Sequence, residues 1–227
     1  MPSVLISGAG RGLGLEFARQ YAAAGWSVIA TLRDPAKGAA LSSLGRAVEV
    51  HLLDVADRRQ IARLAGELKG RAIDLLLCNA GIAGPRGAKF GATDYAAWED
   101  MLRVNVMGPM AMAEAFVDHV AASTRKLIVM ISSRMGSIGS NTSGGSFDYR
   151  SSKAALNAIT KSLAIDLAGS GIAVIAVHPG WVKTDMGGSG ATLSADDSVG
   201  RLRALIERQG LAESGRFYNY DGAELPW

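Results

Sequence analysis

Short runs rich in valine, isoleucine and leucine recur along the chain, and they limit the possible fold more than any other feature of the sequence. They span residues 4–7, 27–31, 48–53, 73–78, 127–132, 172–177 and 217–220. Most lack alternating apolar and polar residues, which indicates strands buried on both faces, as in a parallel sheet. Segments between them show helical spacing, as at Leu156, Ile159 and Leu163. This order predicts an α/β fold, a doubly wound parallel sheet with helices on both faces and right-handed crossovers.

The composition fits one folded domain that covers residues 1–227. The chain has 227 residues, 48% of them hydrophobic, and no linker, repeat or low-complexity segment divides it. The single cysteine excludes an intramolecular disulfide and a multi-cysteine metal site, and the three histidines lack the spacing of metal ligands. We therefore expect no metal site.

Charge and hydropathy exclude two classes of partner. The net charge of +3 comes from 24 basic and 21 acidic residues scattered along the chain, without the basic cluster typical of nucleic-acid binding. The uninterrupted apolar runs have the length of strands and are too short to span a bilayer. The first residues lack the basic region of a signal peptide. We expect a soluble cytoplasmic protein that binds neither nucleic acid nor membrane.

A glycine-rich turn directly follows the first predicted strand and opens a helix. It reads Ser7-Gly8-Ala9-Gly10-Arg11-Gly12-Leu13-Gly14. Glycines at positions 8, 12 and 14 permit a tight turn, a close approach of the backbone to a pyrophosphate, and close packing of helix against strand. The turn predicts a dinucleotide site that includes Ser7, Gly8, Arg11, Gly12, Leu13 and Gly14. A glycine string alone is also compatible with an ordinary flexible connection.

The end of the second predicted strand distinguishes between the two nicotinamide dinucleotides. An acidic residue there would bind the ribose 2′-hydroxyl of NAD. Asp34 precedes Pro35, so its side chain is better explained as a helix cap. Arg33 at this corner, with Arg11 close by, would pair with a 2′-phosphate, which favours NADP(H). Asp54, at the end of the third strand, either accepts a hydrogen bond from the adenine amino group or caps the following helix.

Tyr149 and Lys153 lie four residues apart on a segment with strong helical spacing, so their side chains share one face. That face continues through Leu156, Ile159 and Leu163, which points the pair inward over the carboxyl edge of the sheet. An ammonium about 4–5 Å from the phenol would stabilise its phenolate by about 3–4 kcal/mol at an effective dielectric of about 20. We therefore expect Lys153 to lower the pKa of Tyr149.

A series of motifs follows the same order along nearly the whole chain. They are Ser7-Gly8-x-x-x-Gly12-Leu13-Gly14, Asp54-Val55, Asn79-Ala80-Gly81, Asn105-Val106-Met107-Gly108, Ser133-x-x-Gly136, Tyr149-x-x-x-Lys153 and Pro179-Gly180-x-Val182-x-Thr184. Together they resemble the short-chain dehydrogenases/reductases. Residues 132–138, 141–145 and 220–227 are similar to the branch of that family that holds C-factor and the carbonyl reductases. The resemblance implies a single Rossmann-like domain that binds NADP(H).

The resemblance implies a role for each residue of a catalytic set. Tyr149 would donate a proton to a carbonyl oxygen, Ser133 would hydrogen-bond that oxygen, and Lys153 would hold the ribose hydroxyls of the cofactor. Asn105 would take part in a proton relay with Lys153. Pro109, four residues later, cannot donate to the Asn105 carbonyl, which leaves that carbonyl available to a water molecule. A proline-kinked helix without a catalytic role is the alternative.

The resemblance also extends both binding regions. Further cofactor contacts would come from Asp54, Val55, Asn79, Ala80, Gly81, Pro179, Gly180, Val182 and Thr184, together with Tyr149 and Lys153. The substrate site would include Ser133, Met135, Tyr149, Trp181 and Met186, under a lid at residues 187–198. Ser132 is an adjacent rival of Ser133, which fits the spacing to Gly136. A homo-oligomer, either a dimer or a tetramer, is implied as well.

The sequence as a whole predicts an NADP-dependent oxidoreductase. It would reduce a carbonyl compound, an aldehyde, ketone or quinone, to an alcohol by hydride transfer, with Tyr149 as the proton donor. The alternative is an NADP(H)-binding signalling or regulatory protein with little turnover. Tyr149 and Ser133 favour the enzyme, because a pure binding protein does not need them. A nucleotide- or S-adenosylmethionine-dependent transferase shares the glycine turn but gives no role to Tyr149 and Lys153.

Overall fold

Parallel strands form the centre of the fold. The structure, a computed structural model, describes residues 1–84 and 90–227. Across these residues the seven strands are β1 (Ser3–Ile6), β2 (Ser27–Leu32), β3 (Val48–Leu52), β4 (Leu75–Cys78), β5 (Leu127–Ile131), β6 (Ala173–His178) and β7 (Phe217–Asn219). Their order in the sheet is β3-β2-β1-β4-β5-β6-β7, and all neighbouring pairs are parallel. Each predicted strand is confirmed, with ends that differ by at most two residues.

Helices connect the strands. They are α1 (Gly12–Ala23), α2 (Ala39–Ser42), α3 (Arg58–Glu67), α4 (Tyr95–Leu102), α5 (Gly108–Ala121), α6 (Phe147–Asp166) and α7 (Ala195–Glu207). A π-helical turn at Arg103–Met107 joins α4 to α5, and short 3₁₀ turns lie at Pro35–Lys37, Arg134–Gly136, Ala168–Ser170 and Leu211–Glu213. Within the described ranges, we find no helix that is both long enough and apolar enough to cross a bilayer.

Two hydrophobic cores lie on opposite faces of the sheet. Alternate residues of a strand point to opposite faces, so Val4 and Ile6 of β1 pack in one core and Leu5 packs in the other. The first core takes buried residues from α1 and α7, and the second takes them from α3, α5 and α6. The predicted α/β fold with helices on both faces is therefore confirmed, and burial on both faces explains the unbroken apolar runs.

The strand order reverses between β1 and β4. The strands β2 and β3 lie on one side of β1, and β4 to β7 lie on the other. At such a reversal the loops diverge and leave a crevice outside the carboxyl ends of the strands, where ligands bind in open α/β sheets. The loops that carry the predicted site residues all leave the sheet at this edge, because parallel strands end on the same side.

The segment predicted as a lid, residues 187–198, is a loop over only part of its length. Its last four residues begin α7, where Ser194 Oγ accepts the N–H of Asp197 at 3.0 Å as an N-cap. The loop at residues 187–193 is hydrogen-bonded to the residues that precede it. Lys183 N donates to Leu193 O at 2.8 Å, and Leu193 N donates to Trp181 O at 3.1 Å. The predicted end of this loop is therefore wrong, since the serine cap starts a helix inside it.

Candidate active site

The glycine turn after β1 has the backbone conformation that its sequence predicts. Gly8 and Gly12 have positive φ angles of 70° and 54°, which favour glycine. A Cβ atom on Gly8 would lie 2.8 Å from the Ala80 Cα, and one on Gly14 would overlap the Gly8 carbonyl oxygen. The turn thus packs against the residues that follow β4 with no room for a side chain at these positions.

Ser7 and Asn79 join the glycine turn to the end of β4. The Ser7 hydroxyl oxygen accepts the backbone N–H groups of Asn79 and Ala80, each at 3.0 Å. In return, Asn79 Nδ2 donates to the carbonyl oxygens of Ser7 and Gly8, each at 3.0 Å. Asn79, which was predicted to lie beside the ribose, therefore holds the glycine turn in place. The Ser7 hydroxyl is the acceptor that this set of hydrogen bonds requires.

The N-terminus of α1 is open to an anion. Arg11 is its N-cap residue and makes no capping hydrogen bond, and the first turn contains no acidic residue. Backbone N–H groups at such a helix end attract phosphate groups. The Arg11 guanidinium lies 2.5 Å from an Asp185 carboxylate oxygen, which links this helix end to the loop after β6. Asp185 was not among the predicted residues.

A cavity of about 480 Å³ runs from the glycine turn to the Tyr149 and Lys153 side chains. The predicted residues that line it are Gly8, Arg11, Gly12, Leu13, Gly14, Arg33, Asp54, Val55, Asn79, Ala80, Gly81, Tyr149, Lys153, Pro179, Thr184 and Met186. The predicted residues Ser7, Asn105, Ser133, Met135, Gly180, Trp181 and Val182 lie outside its wall. One continuous space therefore connects the two regions that the motifs predict for the cofactor and for catalysis.

Three cationic side chains line the cavity near the end of β2, and Lys37 among them was missed by the sequence analysis. Arg33 and Lys37 expose 73% and 48% of their side chains, and Arg11 exposes 55%. Asp34 Oδ1 accepts the N–H of Ala36 at 3.0 Å, which confirms Asp34 as a cap. The 3₁₀ turn that this cap starts brings Lys37 back against Gly10. The Asp-Pro pattern is the sequence signal that predicts this reversal.

Asp54 closes a turn of its own after β3. Its Oδ1 accepts the N–H of Ala56 at 2.9 Å, and its Oδ2 lies 4.0 Å from Arg33 Nη1. The cap of α3 is Asp57, whose carboxylate accepts the N–H of Arg59 at 2.9 Å. The capping alternative for Asp54 is therefore wrong, because the helix begins three residues later than that alternative requires. The adenine contact stays a prediction.

Tyr149 lies near the start of α6. Burial raises the pKa of Tyr149 above its ordinary value of 10.0, and the nearby Ser133 side chain opposes this rise. The expected lowering of this pKa is wrong, because burial has the largest effect. The Lys153 ammonium lies 5.9 Å from the centre of the phenol ring.

Lys153 lies one helical turn after Tyr149 and is buried, with 5% of its surface exposed. Its ammonium donates a hydrogen bond to the Ile131 carbonyl oxygen at the end of β5, at 2.9 Å. Burial lowers the pKa of Lys153 from 10.5 to about 8, because an ammonium loses its hydration there. The predicted helical face is therefore present, and it brings a buried cation to the same place as the phenol.

The neighbouring serines after β5 have different partners. Ser132 donates to Asn157 Oδ1 on α6 at 2.6 Å and is 2% exposed. Ser133 begins the 3₁₀ turn, and its oxygen accepts the N–H of Met135 at 3.2 Å. That contact leaves the Ser133 hydroxyl proton available, whereas the Ser132 proton is committed to Asn157. Ser132 lines the cavity and Ser133 does not, but the hydrogen bond of Ser132 to α6 leaves Ser133 as the serine with an available proton.

Asn105 lies in the π-helical turn and is fully buried. Its Oδ1 accepts the N–H of Ile82 at 2.8 Å, and its Nδ2 donates to the Ile82 carbonyl oxygen at 2.8 Å. The turn follows from Pro109, which has no N–H to continue an α-helix, so that Gly108 N donates to the Arg103 carbonyl five residues before it. The asparagine side chain therefore holds the loop after β4, beside Gly81 and Lys153.

The loop after β6 passes over the glycine turn. Gly180 has a φ of 83°, and the Pro179 carbonyl accepts the Ser198 hydroxyl at 2.6 Å. A Cβ on Gly12 would lie 3.3 Å from Thr184 Cγ2, which places this threonine above the start of α1. Val182, two residues before it, pairs with Leu193.

The apolar residues predicted for the substrate lie partly in solvent. Trp181 and Met186 expose 51% and 41% of their surfaces. The Trp181 indole donates to the Gly187 carbonyl oxygen at 2.9 Å, which fixes the ring against the loop. Met135 lies in the 3₁₀ turn that begins at Ser133. Of these three residues, Met186 lines the cavity that Tyr149 and Lys153 also line.

Comparisons with known proteins agree with this geometry. The chain matches the family described as short chain dehydrogenase over residues 2–193. C-signal of Myxococcus xanthus is 41% identical over 155 residues, 68% of this chain and 93% of that protein. Carbonyl reductase Sniffer of D. melanogaster has a TM-score of 0.91 at 34% identity, over 100% of both chains. The NADPH-bound carbonyl reductase from chicken fatty liver has a TM-score of 0.90 at 32% identity, over 100% of this chain and 99% of that one. The resemblance seen in the motifs is thereby confirmed, and the chain belongs to the short-chain dehydrogenase family of oxidoreductases.

Proposed function

We propose that residues 1–227 form an NADPH-dependent reductase that converts an aldehyde, ketone or quinone to an alcohol. The observation that carries this proposal is the placement of the Tyr149 phenol near Ser133 and 5.9 Å from the ammonium of the buried Lys153. Tyr149 and Lys153 line one end of a cavity whose other end is a phosphate-binding turn. A protein that binds a dinucleotide and catalyses no reaction does not need a proton donor at that end of the cavity.

The residues along the cavity fit NADP(H). The two glycines with positive φ and the uncapped start of α1 offer backbone N–H groups to a pyrophosphate. Arg11, Arg33 and Lys37 supply positive charge where the 2′-phosphate would lie. The relatives agree, since the carbonyl reductase from chicken fatty liver is described with NADPH bound.

When bound, NADPH supplies the hydride that reduces the carbonyl carbon. Tyr149 donates its phenolic proton to the carbonyl oxygen, and its raised pKa keeps that proton in place at neutral pH. The Ser133 hydroxyl, whose own oxygen is held by Met135 N, donates to the same oxygen and orients it. The reduction thus gains a proton donor and a positioning hydroxyl from adjacent side chains.

Lys153 stabilises the phenolate that Tyr149 becomes after proton transfer. With a pKa of about 8, its side chain is mostly charged at neutral pH. Burial strengthens the attraction between this ammonium and a new negative charge, because few water molecules screen it. Asn105 keeps the loop at Ile82 beside the ammonium through two hydrogen bonds of 2.8 Å.

The first test is cofactor binding followed by turnover. The purified protein is titrated with NADPH and with NADH by fluorescence, and nicotinamide absorbance is then followed with a panel of aldehydes, ketones, diketones and quinones. We expect NADPH-selective binding and turnover of at least one carbonyl. Tyr149→Phe should bind NADPH normally and reduce none of them. A preference for NADH would contradict the role of Arg33.

A second candidate is an NADP(H)-binding signalling protein with little turnover. The 41% identity with C-signal of Myxococcus xanthus favours it. The same experiment separates the two, because tight NADPH binding without turnover of any carbonyl in the panel would support signalling and contradict the reductase.

A further inference from the structure

Arg150 directly follows Tyr149 on α6, and its guanidinium joins two other loops to that helix. Arg150 Nη2 donates to the Ser143 hydroxyl at 2.8 Å, and Nε donates to the Gly144 carbonyl at 3.3 Å. Nη1 donates to the Met135 carbonyl oxygen at 3.3 Å. One side chain therefore contacts the loop before α6 and the turn that begins at Ser133.

The loop before α6 depends on contacts from residues outside it, because its backbone is strained and the start of α6 has no side-chain cap. Gly144, Gly145 and Ser146 have successive positive φ angles of 62°, 67° and 46°. Ser146, the N-cap residue of α6, makes no capping hydrogen bond with its side chain. A non-glycine residue in the left-handed region costs free energy that the surrounding contacts have to offset. Arg150 makes two of these contacts.

The turn on the other side of the guanidinium carries Ser133. Met135 N donates to the Ser133 oxygen at 3.2 Å, while the Met135 carbonyl accepts from Arg150. A shift of Met135 therefore moves the hydroxyl that faces Tyr149. A planar guanidinium suits this task, since its N–H groups point in fixed directions toward separate acceptors.

We propose that Arg150 is a positioning residue, which clamps the Ser133 turn and the loop at residues 143–146 to the helix that carries Tyr149. The inference rests on the proposed reductase function, and it adds a residue that acts through Ser133 and Tyr149 without touching the reacting atoms. Loss of the clamp should misplace the two hydroxyls relative to each other, and should leave the cofactor end of the cavity unchanged.

The test compares Arg150→Ala, Arg150→Lys and Ser143→Ala with the control Arg63→Ala. Arg63 is an arginine of α3 that is 63% exposed and pairs with Glu67, far from the clamp in the sequence. The rate of hydrogen exchange in residues 133–146 reports on the contacts of Arg150, and this measurement does not require catalytic turnover. Initial rates with NADPH and an accepted carbonyl then read its effect on catalysis.

We expect Arg150→Ala to speed exchange in residues 133–146 and to lower kcat/KM for the carbonyl about tenfold, as the loss of a charged hydrogen-bond donor implies. KM for NADPH should stay within about twofold of the wild-type value, and millimolar guanidinium should restore part of kcat. Arg150→Lys should fall between the wild type and Arg150→Ala, and Ser143→Ala should show the smallest effect of the three.

The proposal is overturned if Arg150→Ala exchanges and turns over like Arg63→Ala. If Arg150→Ala does not fold, the test rests on Arg150→Lys and Ser143→Ala. Hydrogen exchange and rates equal to those of the wild type in both of these variants would overturn the proposal. If the wild type reduces none of the carbonyls, the proposed function fails, while the exchange experiment still decides whether the clamp exists.

Discussion

Burial moves the pKa values of two neighbouring side chains in the candidate site in opposite directions. The Tyr149 phenol loses its proton less readily than in water, while the Lys153 ammonium loses its proton more readily. Below the Lys153 pKa of about 8 the phenol is neutral and the lysine is charged, which is the pair of states that proton donation to a carbonyl requires.

This pair of states predicts how the rate of reduction depends on pH. The rate should be nearly constant below pH 7 and should fall about tenfold per pH unit above the Lys153 pKa of about 8, because neutral lysine no longer stabilises the tyrosinate. Initial rates of NADPH oxidation across this range check it. A rate that rises through pH 8 would contradict the assignment of Lys153.

The same burial predicts that Lys153 destabilises the fold. Because its folded pKa lies below its ordinary value of 10.5, the charged form costs stability below pH 8, and this cost disappears as the pH rises toward 10.5. The shift corresponds to roughly 3 kcal/mol, which the hydrogen bond to Ile131 partly offsets.

We therefore expect Lys153→Met to abolish turnover and to raise the free energy of unfolding at pH 7 by about 1 kcal/mol. Urea denaturation at several pH values measures this change. The gain should shrink and then reverse as the pH approaches 10.5, where neutral lysine still donates to the carbonyl. An equal gain at all pH values would show that charge is not its cause.

The cations at the end of β2 predict cofactor preference. Arg33→Ala and Lys37→Ala should each raise KM for NADPH about tenfold, because each removes a charged partner of the 2′-phosphate. KM for NADH should change little. Lys69→Ala removes a lysine exposed after α3 and serves as the control. Equal effects on NADPH and NADH would exclude these residues from phosphate recognition.

At the scale of elements, the approach of the Ser133 turn to α6 depends on a missing side chain. A Cβ atom on Gly136 would lie 2.6 Å from the Lys153 carbonyl carbon, in a backbone that has no room to yield. We expect Gly136→Ala to destabilise the protein by about 1–3 kcal/mol and to lower kcat, because the turn moves away from Tyr149.

Gly66→Ala is the matched control for this substitution. Gly66 lies in α3, and a Cβ atom there would have no neighbour within 4 Å. The same chemical change should stabilise the protein by about 0.5–1 kcal/mol, since alanine favours a helix. Thermal unfolding of both variants measures the difference, and two similar shifts would exclude steric contact with α6 as the cause.

The sequence predicts strands and helices well where buried residues recur along the chain. It predicts them less well where their ends depend on particular contacts. The β-strands are unbroken apolar runs, so their positions could be predicted. The start of α7 was missed although Ser194 and Asp197 form a recognisable cap. The cap of α3 is Asp57, whereas the sequence analysis considered only Asp54 as a possible cap, because both are acidic residues after β3.

Within the candidate site, the sequence predicts which side chains share a face but not their surroundings. The spacing of Tyr149 and Lys153 predicts a shared helical face, which α6 provides. The raised pKa of Tyr149 depends on burial, which is a property of the folded chain. The pairing of Arg11 with Asp185 joins residues 174 positions apart, and no local pattern predicts it.

At the scale of the whole molecule, we propose a homo-oligomer that buries the outer surface of α6. Ile165 on that helix is 66% exposed, and Met107 at the end of the π-helical turn is 60% exposed. Light scattering should give a mass of two or four times 23.6 kDa, and Ile165→Lys should shift it toward the monomer. A wild-type mass of 23.6 kDa at micromolar concentration would contradict this proposal.

The central position of β1 has a consequence for biosynthesis. Leu5 pairs with Ile29 on one side and with Leu76 on the other, so β1 is synthesised well before its partner β4. At about 5–20 residues per second, this interval lasts seconds. The Ser7 hydroxyl also receives its partners, the N–H groups of Asn79 and Ala80, only after this delay. A nascent chain therefore keeps one edge of β1 unpaired for seconds, and an unpaired strand edge is prone to pair with other chains in that interval.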